Sequence, residues 1–215
     1  MLKGAIFDAD GTLLNSMSIW HELGLRYLAK YDIKAEAGLS EILYSMSLEE
    51  SSRYLKETYG FSDIVESISA EMIGMLRSFY LNEVSLKAGV VAYLRHLHER
   101  NIPMIVATSN DKALLHSVFV RFQIDGFFED ILSCCELNTN KRDFMIYLKA
   151  AQRIGTQPQE TVVFEDVLHG IRSSKKAGFI TVAVEDSSNS SEIMELRSAA
   201  NYFIRDFTDP ILMTI

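Results

Sequence analysis

Four short and nearly uninterrupted apolar segments alternate with amphipathic stretches along much of the chain. The apolar segments cover residues 3–7, 102–107, 161–164 and 179–184. Each is about as long as a strand, and continuous apolar content is typical of strands buried on both faces of a parallel sheet. The stretches 90–100, 111–122, 144–154 and 168–177 have the apolar spacing of helices. This alternation predicts an α/β fold with a doubly wound parallel sheet.

Residues 16–84 interrupt this alternation. They contain no convincing strand pattern but several helical ones, and Ser47 followed three residues later by Glu50 has the pattern of a capping box. We therefore predict a core formed by residues 1–15 together with 85–215, and an all-helical cap inserted as residues 16–84. Residues 186–191 are predicted as a polar loop.

The composition limits the classes of partner. The 215 residues include 21 Lys and Arg against 29 Asp and Glu, a net charge of −8, which argues against nucleic acid as a partner because binding it requires a basic face. Cys134 and Cys135 are adjacent, a spacing that suits neither a disulfide framework nor a zinc site. Residues 3–7 are too short for a membrane span or a signal peptide, so we expect a cytoplasmic protein without a membrane partner.

Two acids follow the first predicted strand. Asp8 and Asp10 are separated by one residue, so on an extended segment their side chains point to the same side. Gly11 permits a sharp turn directly after them. Ligands of open α/β sheets bind at the carboxyl ends of the strands, where this pair lies. The pair alone is equally compatible with a structural turn.

Polar residues also follow two other strands and precede a further helix. Thr108 and Ser109 lie before a helix whose N-terminus either binds an anion or is simply capped by a polar side chain. Glu165 and Asp166 end a buried strand, where adjacent acids repel each other unless a cation or proton intervenes; capping of the next helix is the alternative. Lys141 precedes a helix whose dipole disfavours its charge, so its placement needs another explanation.

These four groups, in this order and with a helical insertion between the first two, form a specific pattern over the whole chain. The sequence resembles the haloacid dehalogenase-like (HAD) superfamily of phosphotransferases, and it is similar to the β-phosphoglucomutase-like and phosphatase branch with a helical cap. The resemblance implies a Rossmann-like core and a cap that selects the substrate. The four motifs are Asp8-Ala9-Asp10-Gly11-Thr12, Thr108, Lys141, and Glu165-Asp166 with Gly170.

The resemblance also implies a role for each acid. Asp8 is the expected nucleophile, which attacks phosphorus and forms a transient aspartyl phosphate. Asp10 is expected to protonate the leaving oxygen and then to activate water. Mg²⁺ is the implied cofactor, bound by the side chains of Asp8 and Asp166 and by the backbone carbonyl of Asp10. Glu165 is expected to bind the metal directly or through water.

The same resemblance implies that Thr108, Ser109 and Lys141 bind the phosphoryl oxygens and offset their charge in the transition state. Dehalogenases that resemble this family lack an acid two residues after the nucleophile, so Asp10 favours phosphate chemistry.

The predicted cap bears on the kind of phosphate chemistry. Sugar-phosphate mutases that resemble this chain carry an Arg where Leu48 stands, which favours a hydrolase. Arg53 or Lys56 could replace that Arg, although solvated surface charges are the more usual role of such residues. Met17 and Trp20 lie where the cap begins, and they either line a substrate entrance or pack between the cap helices.

We therefore predict a Mg²⁺-dependent phosphatase, a phosphoric monoester hydrolase that acts on a small phosphorylated metabolite. A phosphosugar mutase is the alternative enzyme. A non-catalytic protein that binds a phosphometabolite is the alternative from another class, but it would have no use for both Asp8 and Asp10. We expect a monomer, with a dimer as the alternative.

Overall fold

The computed structural model describes residues 2–44 and 46–215. The chain divides into two compact units. One is formed by Met1–Ser16 with Ser85–Ile215 and is called the core unit here; the other is Met17–Val84 and is called the helical unit.

The core unit contains a six-stranded sheet in which all neighbouring strands are parallel. Its strands are β1 (Gly4–Phe7), β2 (Met104–Thr108), β3 (Phe128–Ser133), β4 (Thr161–Glu165), β5 (Ile180–Val184) and β6 (Tyr202–Ile204). Their order across the sheet is β3-β2-β1-β4-β5-β6. Because the chain winds outwards from β1 in both directions, the predicted α/β fold with a doubly wound, Rossmann-like parallel sheet is confirmed.

Helices connect the strands of the core unit and form the helical unit. In chain order they are α1 (Ser18–Lys30), α2 (Leu39–Tyr44), α3 (Leu48–Tyr59), α4 (Val65–Asn82), α5 (Val90–Glu99), α6 (Lys112–Phe122), α7 (Met145–Arg153), α8 (Leu168–Lys176) and α9 (Ile193–Ala199). The first four belong to the helical unit and the others to the core unit. Within the described residues, none of the helices has both the length and the apolar character needed to cross a membrane.

The strands predicted from continuous apolar segments are the four inner strands β1, β2, β4 and β5. Nearly every residue in them is buried, which explains why the segments are almost continuously apolar. The sequence pattern does not predict β3 and β6. Both lie at edges of the sheet, where β3 mixes exposed and buried positions and β6 has only three residues.

The parallel register brings the carboxyl ends of the inner strands to one edge of the sheet. Phe7, the last residue of β1, lies opposite Val106 of β2 and Phe164 of β4. The rings of Phe7 and Phe164 are stacked with their centroids 4.6 Å apart, so the two central strands are tied together by packing as well as by hydrogen bonds. The polar residues that follow these strands therefore emerge next to one another.

The helical unit is built as its sequence pattern predicts. At the start of α3, Ser47 N donates to Glu50 Oε2 at 2.8 Å and Glu50 N donates to Ser47 Oγ at 3.3 Å, which confirms the capping box. The described part of the unit contains no strand. Its interior is apolar, with buried Leu23, Tyr27, Leu28, Leu39, Leu43, Leu55, Ile68 and Met72.

The chain leaves and re-enters the core unit at adjacent positions. Asn15 N donates to the Ser85 carbonyl at 2.9 Å, and the Asn15 amide donates to Ser85 Oγ at 3.1 Å and to the Leu86 carbonyl at 3.0 Å. Ser16 also belongs to the core unit, one residue beyond the boundary expected from the sequence. These hydrogen bonds hold the two crossing points together.

Candidate active site

Asp8 lies directly after β1 and is almost fully buried. Thr12, four residues later, donates its hydroxyl to Asp8 Oδ2 at 3.2 Å and to Asp166 Oδ1 at 3.3 Å. A single hydroxyl therefore joins the acid after β1 to the second acid at the end of β4. Val167, not Glu165 or Asp166, is the N-cap of α8, so neither acid serves as its cap.

Lys141 is the buried cation of this group. Its Nζ donates to Asp8 Oδ1 and lies 2.8 Å from Glu165 Oε1. The backbone carbonyl of Lys141 accepts a hydrogen bond from Ser173 Oγ of α8 at 2.6 Å, so α8 fixes the segment that carries the lysine. The unusual position of Lys141 before α7 thus has an explanation, because its charge is paired with two buried carboxylates.

Glu165 is completely buried and is held from two sides. Besides Lys141, the Tyr147 hydroxyl donates to Glu165 Oε1 at 2.7 Å. Gly170 leaves the room that this arrangement needs, since a Cβ atom there would lie 2.7 Å from Glu165 Cδ and 2.9 Å from the Tyr147 hydroxyl. The other oxygen, Glu165 Oε2, is buried without a hydrogen-bond partner among the described residues.

Burial and neighbouring carboxylates raise the pKa of Asp8 and of Asp166. Burial, assisted by the Glu165 carboxylate, raises the pKa of Asp8 to about 6 in spite of the attraction of Lys141. Burial raises the pKa of Asp166 well above its ordinary value, and Asp8 and Glu165 add to this effect. Burial would lower the pKa of Lys141, but the Asp8 and Glu165 carboxylates raise it, so the lysine keeps its charge. The group holds more negative charge than Lys141 alone can offset.

Three of these acids fit a divalent cation. One carboxylate oxygen from each of Asp8, Glu165 and Asp166 lies within 4.8 Å of the other two. A hard cation such as Mg²⁺ prefers a ligand set made of oxygen atoms, and the unpartnered Glu165 Oε2 has free capacity as a ligand. The residues therefore suit the metal that the sequence analysis implies.

Asp10 is half-buried and has a hydrogen-bond donor on each oxygen. Ser16 Oγ donates to Asp10 Oδ1 at 2.7 Å, and the Asn110 amide donates to Asp10 Oδ2 at 2.9 Å. Asn110 follows β2, so its side chain links the acid after β1 to the end of the neighbouring strand. This contact orients the carboxyl group that the sequence analysis assigns as the acid and base.

Thr108 and Ser109 lie at the end of β2, the strand next to β1. Thr108 Oγ1 accepts a hydrogen bond from Asn110 N at 3.0 Å, and Ser109 Oγ lies 3.7 Å from Cys134 Sγ. Neither hydroxyl caps α6, because Asp111 Oδ1 accepts the capping hydrogen bond from Leu114 N at 2.8 Å. The structure therefore places both residues at the edge of the sheet that carries Asp8, where they contact Asn110 and Cys134.

Asn189 also contacts the site, and the sequence pattern gives no signal for this contact. Its amide donates to the backbone carbonyl and to Oδ2 of Asp166, both at 3.0 Å. The loop that carries Asn189 is anchored by Asp186, whose Oδ2 lies 3.0 Å from Lys87 Nζ in a buried ion pair. The segment predicted as a polar loop is instead a 3₁₀ helix over Ser187–Glu192 with a kink at Asn189, and it holds one of the candidate metal ligands in place.

The two alternative cations of the helical unit have other partners. Arg53 pairs with Glu49 at 2.8 Å, and both side chains are more than half exposed. Lys56 Nζ donates to the backbone carbonyls of Phe61 at 3.1 Å and Ser62 at 3.3 Å. These contacts match surface and loop-holding roles rather than the binding of a second phosphate.

Comparison with known proteins gives a consistent family. A family model described as haloacid dehalogenase-like hydrolase matches residues 5–184. The fructose-1-phosphate phosphatase YqaB of Escherichia coli (strain K12) is 28% identical over 185 residues, which cover 84% of this chain and 95% of the relative. Hexitol phosphatase A of the same organism is 24% identical over 196 residues, which cover 90% of this chain and 88% of the relative.

Solved structures show the same fold. The crystal structure of a Thermotoga maritima protein assigned as a beta-phosphoglucomutase superposes with a TM-score of 0.84 at 22% identity, covering 94% of each chain. The resemblance drawn from the four motifs is confirmed, and so is the expectation of a phosphoric monoester hydrolase. The chain belongs to the haloacid dehalogenase-like hydrolase family.

Proposed function

We propose that the protein is a Mg²⁺-dependent phosphatase that hydrolyses a small phosphorylated metabolite through an aspartyl phosphate on Asp8. The observation that carries the proposal is the buried group formed by Asp8, Glu165, Asp166 and Lys141. Asp10 lies two residues after Asp8, and the Asn110 amide orients its carboxyl group. The curated relatives are named as phosphatases, which supports hydrolysis. In this proposal the core unit is catalytic and the helical unit is the cap.

The residues present suit both the cation and the phosphoryl group. Asp8 and Asp166 would hold Mg²⁺ through their side chains, Asp10 through its backbone carbonyl, and Glu165 directly or through water. When bound, the cation supplies positive charge that stabilises the phosphoryl oxygens and the surrounding acids. Lys141 adds a second positive charge whose position is fixed by Asp8 and Glu165.

Thr108 and Ser109 are proposed to donate their hydroxyls to the phosphoryl oxygens. They lie at the end of β2, next to the strand that carries the nucleophile, and neither is used as a helix cap. Donors fixed in place before the reaction stabilise the charge that moves onto these oxygens in the transition state.

The first chemical step uses both aspartates after β1. A carboxylate oxygen of Asp8 attacks phosphorus, and the bond between phosphorus and the ester oxygen breaks with its electron pair on that oxygen. Asp10 in its protonated form gives a proton to the leaving oxygen, which departs as an alcohol. Ser16 and Asn110 keep the Asp10 carboxyl group oriented for this transfer.

The second step returns the enzyme to its starting state. Asp10, now ionised, takes a proton from water, and the water oxygen forms a bond to phosphorus. The bond between phosphorus and Asp8 breaks, which releases inorganic phosphate and restores the carboxylate. Lys141 remains charged throughout, because its neighbouring carboxylates hold its pKa above the ordinary value in spite of burial.

Hydrolysis is favoured over a mutase reaction by the helical unit. A mutase must retain an intermediate with a second phosphate, which requires a cation in the cap. Leu48 stands where similar mutases carry an Arg, and Arg53 and Lys56 are engaged with Glu49 and with backbone carbonyls. The phosphorylated enzyme is therefore expected to react with water.

The test is release of inorganic phosphate from a panel of phosphorylated metabolites, with Mg²⁺ and with EDTA, for wild type and Asp8→Asn. We expect turnover in Mg²⁺ only and a loss of about 10³-fold or more in Asp8→Asn, because the nucleophile is removed. Asp125→Asn, an exposed acid of the core unit, is the matched control and should keep wild-type activity.

Three results would contradict the proposal. Isomerised sugar phosphate with little free phosphate would indicate the mutase. Saturable binding of a metabolite without turnover would indicate a binding protein. Unchanged turnover in Asp8→Asn, with circular dichroism showing an intact fold, would exclude the aspartyl phosphate.

A further inference from the structure

The core unit buries one lysine in addition to Lys141. Among the described residues, Lys87 and Lys141 are the only lysine or arginine side chains that are buried. Burial removes the hydration of a cation, so its partners must offset a large cost in free energy. Lys141 belongs to the candidate active site, whereas Lys87 has no part in the chemical steps proposed above. The contacts of Lys87 indicate what its burial achieves.

Lys87 joins two segments of the core unit. Its backbone N–H donates to the Leu13 carbonyl at 2.9 Å, and Leu13 lies in the turn that follows Asp8. Its Nζ donates to the Glu185 carbonyl at 2.6 Å and to Asp186 Oδ2 at 3.0 Å. The residue therefore ties the turn after β1 to the segment after β5.

Asp186 fixes the start of the 3₁₀ helix that follows β5. Its Oδ1 accepts hydrogen bonds from Ser188 N at 3.0 Å and from Ser188 Oγ at 2.7 Å. Its backbone carbonyl accepts a hydrogen bond from Asn189 N at 3.1 Å. Both carboxylate oxygens of Asp186 are thus occupied, one by Lys87 and the other by Ser188. The position of Asn189 therefore depends on how Asp186 is held.

Asn189 in turn holds Asp166, which has a donor on each carboxylate oxygen. The Asn189 amide donates to Oδ2 at 3.0 Å, and the Thr12 hydroxyl donates to Oδ1 at 3.3 Å. The same amide donates to the backbone carbonyl of Asp166 at 3.0 Å. Two fixed donors determine the rotation of the carboxylate, and contacts of this kind strengthen metal binding by a ligand.

We propose that Lys87 is a positioning residue of the metal site. Through Asp186 it holds Asn189 in the place from which the amide orients Asp166. A well-packed apolar pair often stabilises a protein as much as a buried ion pair does, but only the ion pair fixes the direction of the Asp186 carboxyl group. The inference rests on the proposed function, since it concerns the Mg²⁺ site of that reaction.

The first measurement is the affinity of the full chain for Mg²⁺, by isothermal titration of wild type and Lys87→Met. The variant should bind Mg²⁺ about tenfold more weakly, the usual effect of losing support for a metal ligand. Lys112→Met removes a lysine that pairs with Asp130 at 2.6 Å elsewhere in the core unit. It is the matched control and should keep the affinity of wild type.

A double variant shows whether Lys87 acts through the Asn189 amide. Asn189→Ala removes that amide. Adding Lys87→Met to it should weaken Mg²⁺ binding by less than about twofold further, since substitutions that remove the same contact are not additive. Losses of affinity that multiply would show that Lys87 acts independently of Asn189 and would overturn the proposal.

Another double variant separates positioning from stability. Lys87→Met leaves Asp186 buried without its cation and should lower the melting temperature. Adding Asp186→Asn removes both charges and keeps an acceptor for Ser188 N, so the melting temperature should return towards that of wild type. The Mg²⁺ affinity should stay about tenfold below wild type, because no ion pair holds the segment. Recovery of affinity together with stability would indicate a purely structural role and overturn the proposal.

Phosphate release gives a second readout, with p-nitrophenyl phosphate as the probe. The Mg²⁺ concentration for half-maximal release should rise about tenfold in Lys87→Met, and excess Mg²⁺ should restore most of the lost rate. A loss of rate that excess Mg²⁺ does not restore would contradict a role in metal binding.

The outcomes distinguish this inference from the proposed function. A wild type that binds no Mg²⁺ would contradict the metal site of the proposed function and this inference with it. Equal Mg²⁺ affinities of wild type and Lys87→Met would overturn this inference alone and leave the phosphatase intact. Weaker binding in Lys87→Met without turnover of any ester by wild type would support the inference and overturn the phosphatase.

Discussion

The two units of the molecule differ in whether they bury ion pairs. In the core unit, Lys141 pairs with Asp8 and Glu165, and these side chains are at most 7% exposed. In the helical unit, Arg53 pairs with Glu49 across side chains that are 56% and 71% exposed. The core unit therefore holds some ion pairs where water is excluded, in addition to its exposed pairs. The ion pairs described in the helical unit are open to solvent, and the interior of that unit is filled with apolar side chains.

This difference separates a unit that buries ion pairs from a unit whose interior is apolar. Burial of charge lowers stability unless the partners compensate for the lost hydration. Exposed pairs add little to stability. The acids and the lysine that we propose to act on phosphate are therefore the groups whose burial has the greatest consequence for stability.

The largest effect is expected when one cation is removed from each unit. Lys141→Met should lower the free energy of unfolding by about 3–5 kcal/mol at pH 8 in EDTA, because it removes the cation that pairs with two buried carboxylates. Arg53→Met should lower it by less than about 1 kcal/mol. Urea unfolding of both variants measures the difference. Equal losses of unfolding free energy would show that the buried pairs contribute no more to stability than the exposed pair.

The second test uses pH in the absence of metal. Burial raises the pKa of Asp8 to about 6 in the folded protein, so between about pH 4 and 6 the folded state binds more protons than the unfolded state. The contribution of Asp8 to the free energy of unfolding should therefore fall as pH rises through this range, by on the order of 2 kcal/mol.

Asp8→Asn is the control for this pH dependence, since other carboxylates titrate as well. The difference in unfolding free energy between wild type and Asp8→Asn in EDTA should change in favour of the variant as pH rises from 4 to 7. A constant difference would contradict the raised pKa. Mg²⁺ should reduce the effect in the wild type, because a cation offsets the charge that the raised pKa reflects.

The third test adds one methyl group to each unit. Gly170→Ala brings a Cβ atom to 2.7 Å from the Glu165 carboxyl carbon, and we expect a loss of about 2 kcal/mol from this overpacking. Gly24→Ala brings one to 2.2 Å from Leu43 Cδ1, but Leu43 lines a cavity of about 290 Å³ within the helical unit and has space to turn into.

Helix propensity also favours alanine in α1, so the stability of Gly24→Ala should stay within about 1 kcal/mol of wild type. Thermal melting curves of the two variants provide the comparison. A greater loss for Gly24→Ala would mean that the wall of the cavity is as rigid as the packing around Glu165.

The smallest effect is expected for the loop that contacts Asp166. Asn189→Ala removes the amide that donates to Asp166 and should weaken Mg²⁺ binding by about tenfold, the usual effect of losing a hydrogen bond to a metal ligand. Ser190→Ala, at the next and exposed position, is the matched control. Isothermal titration with Mg²⁺ measures the affinity, and equal affinities for the two variants would show that Asn189 does not position the carboxylate.

The inner part of the fold was predictable because burial on both faces leaves a strong sequence pattern. β1, β2, β4 and β5 consist mostly of apolar residues, since a polar residue within them is buried and needs a hydrogen-bond partner, as Thr181 has in Asn201. β3 and β6 lie at the edges, where solvent tolerates polar residues. Their strand character depends on pairing with a neighbour, which a local pattern does not contain.

The candidate site was predictable only where its residues follow strands or precede a helix. Asp8, Glu165 and Asp166 stand at strand ends, so their convergence follows from the parallel sheet. Asn189 and Tyr147 contact acids 23 and 18 residues away in sequence. The local sequence around Asn189 or Tyr147 does not mark either residue as part of a site. Their contacts with the acids exist only once the chain has folded.

The paired crossing points described above explain how so large an insertion is tolerated. Asn15 and Ser85 are hydrogen-bonded to each other, so the intervening chain starts and ends at neighbouring positions in the core unit. The entropy cost of closing a loop grows only slowly with its length. The core unit therefore places few demands on what lies between these two residues. On physical grounds, the segment between them can change its length at little entropic cost while the sheet and its acids stay in place.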